Sequence, residues 1–508
     1  MIQRIHSLLK EQLEWVILRR KWTGLLIGCT ALLALIYVRS AILTPVDHDE
    51  VEHAHASYKI LDGKIPYRDF YQNHWPAYWL LEMQLVRALP FSVRLFWAAR
   101  GFNLLVLAGC WLLGLRFLVN LRGGRTWLGL SIYTIAIITL ASEMDFHRAR
   151  PDPLMTLLGT AGLCLVPMRS NLTKSRALLL GTLFGLSISV SSKAILLALV
   201  VPAILVVRWI RDRKPSPWPP SLAYVFGAAL GLLPTAWWLY HNHLFSFFYF
   251  DVFQLNNALS KPWYFAVGYI RDIPILLISI LGTIVMLASY RRYRDRNNHG
   301  PLAIGLAMAS GIALAFIARH SAVHNMQIVI VPIAIGFAAF LLQLIFHTCN
   351  KSCQLLLCAA LLGYPAFHIT GFLMGTRMET GKIAQNELQS IIDLAKPGKQ
   401  TCIAFAPDHP IFCRDVSGLS NGWDVTFPER IQNPQQLQRF RELWQNGIRQ
   451  TIDQKPEIIV RASPQRCWER AVHAGLISAE QLLSLDALRP AYDVRMIGER
   501  EVWIRHPH

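Results

Sequence analysis

Four carboxylates and a group of histidines stand together in Pro45-Val-Asp-His-Asp-Glu-Val-Glu-His-Ala-His55, directly after a long apolar run, and Gly63-Lys-Ile-Pro-Tyr-Arg-Asp-Phe-Tyr-Gln-Asn-His74 follows. Acid at this density beside a membrane can take protons, hold cations or bind a metal. Asp49, Glu52 and His53 recur at spacings of three and four, which puts them on one helical face. Asp49 also fits the N-cap of a helix over residues 50–61, with Glu52 as its capping-box partner, and Asp47 is left outside that pattern. His48 and His53 are five apart with Glu52 between them, which matches neither H-E-x-x-H nor H-x-x-E-H and argues against a zinc peptidase. Binding of a divalent metal by the cluster stays open.

The elements that carry this loop follow from composition. Of 508 residues, 53% are hydrophobic and 16% charged, and the mean hydropathy is +0.33. The apolar residues collect in runs of roughly 17 to 25, the length that crosses a bilayer, so the chain reads as a mainly α, polytopic membrane helix bundle. The net charge is +18, but Lys and Arg concentrate in short loops between apolar runs, where they act as topology signals. A nucleic-acid partner is excluded on that ground.

Arg4, Lys10, Arg19, Arg20 and Lys21 precede the run 22–41. That run is of span length and no small-residue cleavage site follows it, so a retained first helix with a cytoplasmic N-terminus is expected. Counting about eleven spans puts the basic clusters around Arg122, Arg211 and Arg291 on one side. The acidic loop 45–90, the segment 143–152, the turn at Lys193, the aromatic loop 241–264 and the segment 319–324 then share the other. Residues 76–89 are apolar but interrupted by Glu82 and Arg87. They are read as an interfacial helix or a lead-in to the second span, because counting them as a span would invert every later loop.

From about Arg377 the composition shifts to Gln, Asn, Asp and Pro. An amphipathic helix is expected over 379–395, with short strands over 401–405, 457–460 and 501–505. The chain thus divides into a membrane domain over 1–376 and a small α/β extracytoplasmic domain over 377–508. Cys402, Cys413 and Cys467 fall in the latter, where a Cys402 to Cys413 bridge would span a strand and a Pro-containing turn. The other six cysteines lie in or beside apolar runs and read as packing. The sequons at Asn171 and Asn350 fall on the cytoplasmic side, where no glycan is expected.

Asp47-His-Asp-Glu50 after the first span, then Tyr58, Gly63-x-x-Pro66-Tyr67-x-Asp69-Phe70 and His74-x-Pro76, resemble the first external loop of the C-type (GT-C) integral-membrane glycosyltransferases. The nearest pattern is that of bacterial members similar to protein O-mannosyltransferases and lipid A aminoarabinose transferases. Arg148-Ala-Arg150-Pro151-Asp152 resembles their Arg-Pro-Asp element, and Arg319-His320 with His324 their late His-bearing loop. The resemblance covers the membrane region.

It implies a GT-C fold in a bacterial inner membrane and transfer of a sugar, with inversion, from a polyprenyl-phosphate donor to a lipid, glycan or protein acceptor. One carboxylate takes the acceptor proton and cations hold the leaving phosphate, with no cofactor required. By resemblance the base is Asp47 or Asp49, with Asp49 favoured, and Glu50 is a positioning group or alternative. Arg148 and Arg150 would hold phosphate, since a guanidinium fork matches its oxygens. Asp152, Lys193, His53, His74 and His324 complete the expected substrate contacts. Two other classes are kept in view. A transporter or flippase of lipid-linked glycans should carry broken or polar helices near the bilayer midplane, and a non-enzymatic envelope scaffold leaves the acidic loop unexplained.

Overall fold

The computed structural model of the protein describes residues 24, 27–119, 127–166, 172–212, 218–255, 272–293, 300–317, 325–347, 363, 377–395, 399–404, 414–415, 428–431, 433–462, 465–498 and 500–507. Among these, five helices are long and apolar enough to cross a membrane: Arg94–Leu118, Trp218–His241, Ile273–Tyr290, Gly300–Ile317 and Met326–Leu344. Ile27–Leu43, Trp127–Glu143 and Ala194–Val207 are apolar but shorter. The fold is therefore mainly helical and built for a bilayer. The final expected span, 355–374, lies outside the described residues except for residue 363.

Lipid does not drive apolar helices together, so close backbone contact has to come from small residues. Lys174–Val190 and Trp218–His241 meet in this way. A Cβ at Gly181 would overlap the Tyr224 carbonyl oxygen, and one at Gly227 would overlap that of Leu178. Both glycines repeat four residues on, at Gly185 and Gly231, where a Cβ would again meet the partner helix's backbone.

Residues 76–89 hold a separate helix, Ala77–Ala88, of 12 residues. At 1.5 Å per residue it is about 18 Å long, well short of a bilayer core of about 30 Å. Phe91 adopts φ 57° and turns the chain before Arg94–Leu118 begins. The short helix carries the buried Glu82, whose carboxylate accepts from Ser57 Oγ at 2.9 Å.

The acidic helix spans His48–Leu61, and its N-cap is Asp47 rather than Asp49. Asp47 Oδ1 accepts from the Glu50 amide at 2.9 Å and Glu50 Oε2 from the Asp47 amide at 3.1 Å, a reciprocal capping box. The expected Asp49 to Glu52 box is the same D-x-x-E pattern displaced by two residues. The earlier copy prevails because Asp47 is extended, at φ −96° and ψ 168°, and because Glu50 is anchored from outside the loop, as described below.

The C-terminal region forms a five-stranded sheet from β1 (Gln400–Ala404), β2 (Arg414–Asp415), β3 (Ile458–Ala462), β4 (Tyr492–Ile497) and β5 (Arg500–Arg505), in the order β2-β1-β3-β5-β4. β1 pairs parallel with β2 and β3, while β5 pairs antiparallel with β3 and β4. Three strands fall where the hydropathy pattern expects them. β2 has two residues and β4 is mostly exposed, so neither leaves a period-two signal.

Helix Arg377–Ala395 joins this sheet to the membrane helices. Ile391 packs with Ile458, Val460 and Val502 of the sheet, whereas Leu388 and Ile392 pack with Val51 and Ala54 of the acidic helix and with Leu95, Phe96 and Ala99. A second contact brings Phe440 and Trp444 of helix Pro434–Gln454 into one cluster with Tyr71, Phe250 and Leu255. Arg439 lies over the Phe250 ring at 3.9 Å. Residues 249–255 of the aromatic loop wind as a π-helix. Cys413 and both sequon asparagines lie outside the described residues.

Candidate active site

The site is assembled around the N-terminus of the acidic helix. Arg100, on the span Arg94–Leu118, is fully buried. Its Nε and Nη2 donate to the two Glu50 oxygens at 2.8 and 2.6 Å. Its Nη1 donates to the carbonyls of Ala41, Ile42 and Thr44 at 3.2, 3.1 and 2.8 Å, and Nη2 donates to that of Pro45 at 3.0 Å. These carbonyls lie at and just past the end of the preceding apolar helix Ile27–Leu43, so one guanidinium caps that helix and neutralises Glu50 together.

Glu50 Oε1 also accepts from the Ala149 amide at 2.9 Å, which ties the acidic loop to residues 145–150. Burial pushes the Glu50 carboxyl up, but the charge and bonds of Arg100, the charge of Arg148 and the Ala149 amide outweigh it and hold it at about 2. Asn103 Nδ2 donates to the Arg148 carbonyl, and Thr44 Oγ1 meets His147 Nε2 at 3.1 Å. Residues 145–150 are thereby fixed against the end of the first helix.

That attachment delivers Arg148 and Arg150 to the acids. Both guanidiniums contact Asp47 Oδ2, Arg148 through Nη1 at 3.0 Å and Arg150 through Nη2. Arg150 Nη2 also reaches Asp49 Oδ2 at 2.9 Å, and Arg148 Nη1 lies 3.7 Å from Glu50. Burial raises the Asp47 carboxyl above its ordinary range against the opposing charge of Arg150, with Glu50 adding to the rise. Asp49 is the most open of the three acids, its side chain 31% exposed against 17% for Asp47 and none for Glu50.

Beyond Arg150, Lys193 Nζ donates to Asp152 Oδ1 at 2.7 Å. Asp152 sits in the first turn of helix Pro151–Leu165, whose Pro at N1 sets the helical φ without losing a needed donor. Asp47, Asp49, Arg148 and Arg150 form one ion-pair cluster, and Asp152 with Lys193 forms a second pair whose Asp152 feels the charge of Arg150.

The histidines occupy the adjoining face. His53 is buried and its Nδ1 accepts from the Trp79 indole at 3.0 Å, so the ring proton is assigned to Nε2. Burial lowers its basicity well below the usual range, with His74 adding to the effect. His53 is packed into this wall between Trp79 and His74. The His74 ring stands 4.8 Å from it, with Nε2 3.6 Å from Glu52 Oε1. Burial and the charge of Asp49 raise the Glu52 carboxyl well above the ordinary range. His324 lies outside the described residues.

Arg100 escapes the motif reading, although a lone Arg inside an apolar span is a signal in its own right. Among the described residues no three His, Cys, Asp or Glu side chains are arranged to hold a metal ion. Asp47, Asp49 and Glu50 meet guanidiniums, while Glu52 faces His74.

No family model and no curated protein matches the chain. Solved structures do. ArnT from Cupriavidus metallidurans bound to undecaprenyl phosphate superposes at a TM-score of 0.56 with 14% identity, over 96% of this chain and 100% of that one. The archaeal oligosaccharyltransferase AglB from Archaeoglobus fulgidus, in complex with an inhibitory peptide and a dolichol-phosphate, gives 0.50 with 10% identity, over 96% and 74%. The oligosaccharyltransferase of the same organism in complex with Zn and sulfate gives 0.50 with 11% identity, over 94% and 73%. At these identities the likeness is one of fold, and that fold is the GT-C architecture of integral-membrane glycosyltransferases.

Proposed function

We propose that the protein is a membrane glycosyltransferase that moves a sugar from a polyprenyl-phosphate carrier to a lipid, glycan or protein acceptor with inversion at the anomeric carbon. The observation that carries this reading is the convergence of Arg148 and Arg150 on Asp47 Oδ2. Such a site holds a proton acceptor beside two phosphate-matching forks. The acceptor oxygen or nitrogen attacks C1 and the bond from C1 to the phosphate oxygen breaks. Its electron pair stays on the phosphate and the acceptor proton passes to the carboxylate.

We assign Asp47 as the base. Its Oδ1 is tied by the capping bond, so its Oδ2 is held in a fixed direction. A carboxyl raised above its ordinary range is also the stronger proton acceptor. When a donor phosphate draws Arg148 and Arg150, Oδ2 is released for the acceptor proton. Asp49 shares Arg150 and orients it. Glu50 is sealed by Arg100 and acts as a positioning group. Lys193, held by Asp152, adds a further cation for the phosphate, and His74 borders the acceptor.

In this reading residues 1–376 form the transmembrane transferase domain and 377–508 an extracytoplasmic domain. The N-terminus is cytoplasmic, and the acidic loop faces the periplasmic side of a bacterial inner membrane. The test is turnover by the purified protein in lipid nanodiscs with a panel of polyprenyl-phosphate sugars and acceptors. Release of free polyprenyl phosphate that depends on acceptor is expected. No release with any donor, from protein that binds polyprenyl phosphate, would refute the assignment.

A further inference from the structure

Gln385, on helix Arg377–Ala395, is buried and lies against the backbone that leads into Asp47. Its Nε2 donates to the Thr44 carbonyl at 3.0 Å and its Oε1 accepts from the Trp97 indole at 3.2 Å. Thr44 O is the same oxygen that Arg100 Nη1 meets at 2.8 Å. A carbonyl oxygen has two lone pairs, and these two donors can occupy both.

The helix is seated there by its shape as well. A Cβ at Gly381 would overlap the Leu43 carbonyl oxygen and stand 3.1 Å from the Pro45 nitrogen. One turn further along, Gln389 accepts from the Val93 amide at 2.9 Å and donates to the Phe91 carbonyl at 3.0 Å. These are the residues that turn the chain into Arg94–Leu118. The same helix carries Ile391 into the sheet core.

We propose that Gln385 is a positioning residue for Asp47, and that helix Arg377–Ala395 holds the acidic loop in register from the C-terminal sheet. The loop from Thr44 to Asp47 contains Pro45 and lies outside regular secondary structure. The Thr44 carbonyl takes its donors from Arg100 on one side and Gln385 on the other, while Arg100 and Arg148 reach the Pro45 carbonyl. Without Gln385 the loop retains the Arg100 clamp but gains freedom toward the C-terminal helix. The Asp47 capping geometry then loosens.

The catalytic half of this inference rests on the glycosyltransferase reading, while the positioning half does not, and Gln385→Glu tests both in the full-length protein. The substitution keeps an acceptor for the Trp97 indole but removes the donor to Thr44. Hydrogen exchange of the peptide covering residues 44–52 is expected to speed up roughly fivefold, the order set by a weakened cap. Turnover should fall on the order of tenfold or more at unchanged KM for the lipid donor, since a small misplacement of a reacting group is costly. The unfolding midpoint is expected to fall, because the new carboxylate is buried against the Thr44 carbonyl, so exchange over residues 44–52 is read relative to that of the membrane helices.

Unchanged exchange in that peptide would overturn the positioning role, whatever the activity. Faster exchange with unchanged turnover would overturn its catalytic consequence. If the parent protein turns over no polyprenyl-phosphate sugar, the functional reading fails on its own and the exchange measurement still decides the positioning role. Gln385→Met, which removes both polar contacts at similar volume, should reproduce the faster exchange and gives an independent check.

Discussion

Arg100 and Glu50 form a bidentate pair in which neither side chain reaches solvent, at 2.8 and 2.6 Å, between a membrane helix and the first turn of the acidic helix. The pair also ends the first apolar helix through the carbonyls of residues 41 to 45. It is the fixed point from which the rest of the site is built.

Removing Arg100 therefore leaves a buried carboxylate without its main countercharge and takes a donor from several carbonyls. Arg100→Met should destabilise the protein by about 3–5 kcal/mol, and Arg100→Lys should recover only part of this, because an ammonium cannot bond both Glu50 oxygens and the carbonyls together. Thermal unfolding in detergent measures it. A midpoint within a degree of the parent would show that the pair carries no stability.

The pH dependence of that stability has a defined sign. Glu50 is held at about 2, below its ordinary value of 4.5. A depressed carboxyl contributes stability that is complete above the unfolded value and is lost as pH falls toward the folded one. Stability should thus decline between about pH 4.5 and 2 through this group. The Glu50→Gln variant should lack this component of the decline in acid unfolding curves.

Asp47→Asn retains an N-cap side chain while removing the proton acceptor. The variant should fold and bind donor, with turnover lower by a factor on the order of a hundred or more. Asp49→Asn should lose less, through its hold on Arg150. Acceptor-dependent release of polyprenyl phosphate gives the comparison, and the reverse order would exchange the two roles. Because burial raises the Asp47 carboxyl, the acid limb of kcat/KM should lie above the ordinary aspartate value of about 3.9.

Arg148→Ala and Arg150→Ala should each weaken binding of polyprenyl phosphate, by about tenfold or more for a charge-assisted bond of about 1.5–3 kcal/mol. Lys at either position should rescue only partly, since it lacks the planar fork. Titration with the lipid phosphate in nanodiscs is the measurement. Full affinity in the double Ala variant would remove both from the site.

Orientation can be tested without an activity assay. Asn386 is exposed on helix Arg377–Ala395. A cysteine introduced there should react with an impermeant reagent added from the periplasmic side, and one introduced at Asn297 should not. The opposite pattern would put the acids in the cytoplasm and end the glycosyltransferase reading.

Much of the architecture was legible in the chain itself, because hydrocarbon imposes its demands on every residue of a span. Apolar runs of membrane length marked helices such as Arg94–Leu118 and Gly300–Ile317. The loss of those runs after Arg377 marked the region that builds the sheet. The acidic loop and Arg148-Ala-Arg150-Pro151-Asp152 stood out because charge beside a bilayer is expensive and needs a reason. Their meeting in space follows that logic, each set of charges being the cheapest partner for the other.

The capping register within the loop was decided only by tertiary contacts. Asp47-x-x-Glu50 and Asp49-x-x-Glu52 are equivalent as local capping patterns, and local propensity cannot choose between them. The choice falls to Arg100, fifty positions from Glu50, whose buried guanidinium needs a carboxylate at one place only. Gln385, more than three hundred residues from Thr44, adds a contact that no spacing rule connects. A buried charge and an unpaired carbonyl each require a partner, but the chain specifies that partner only through the fold that brings it there.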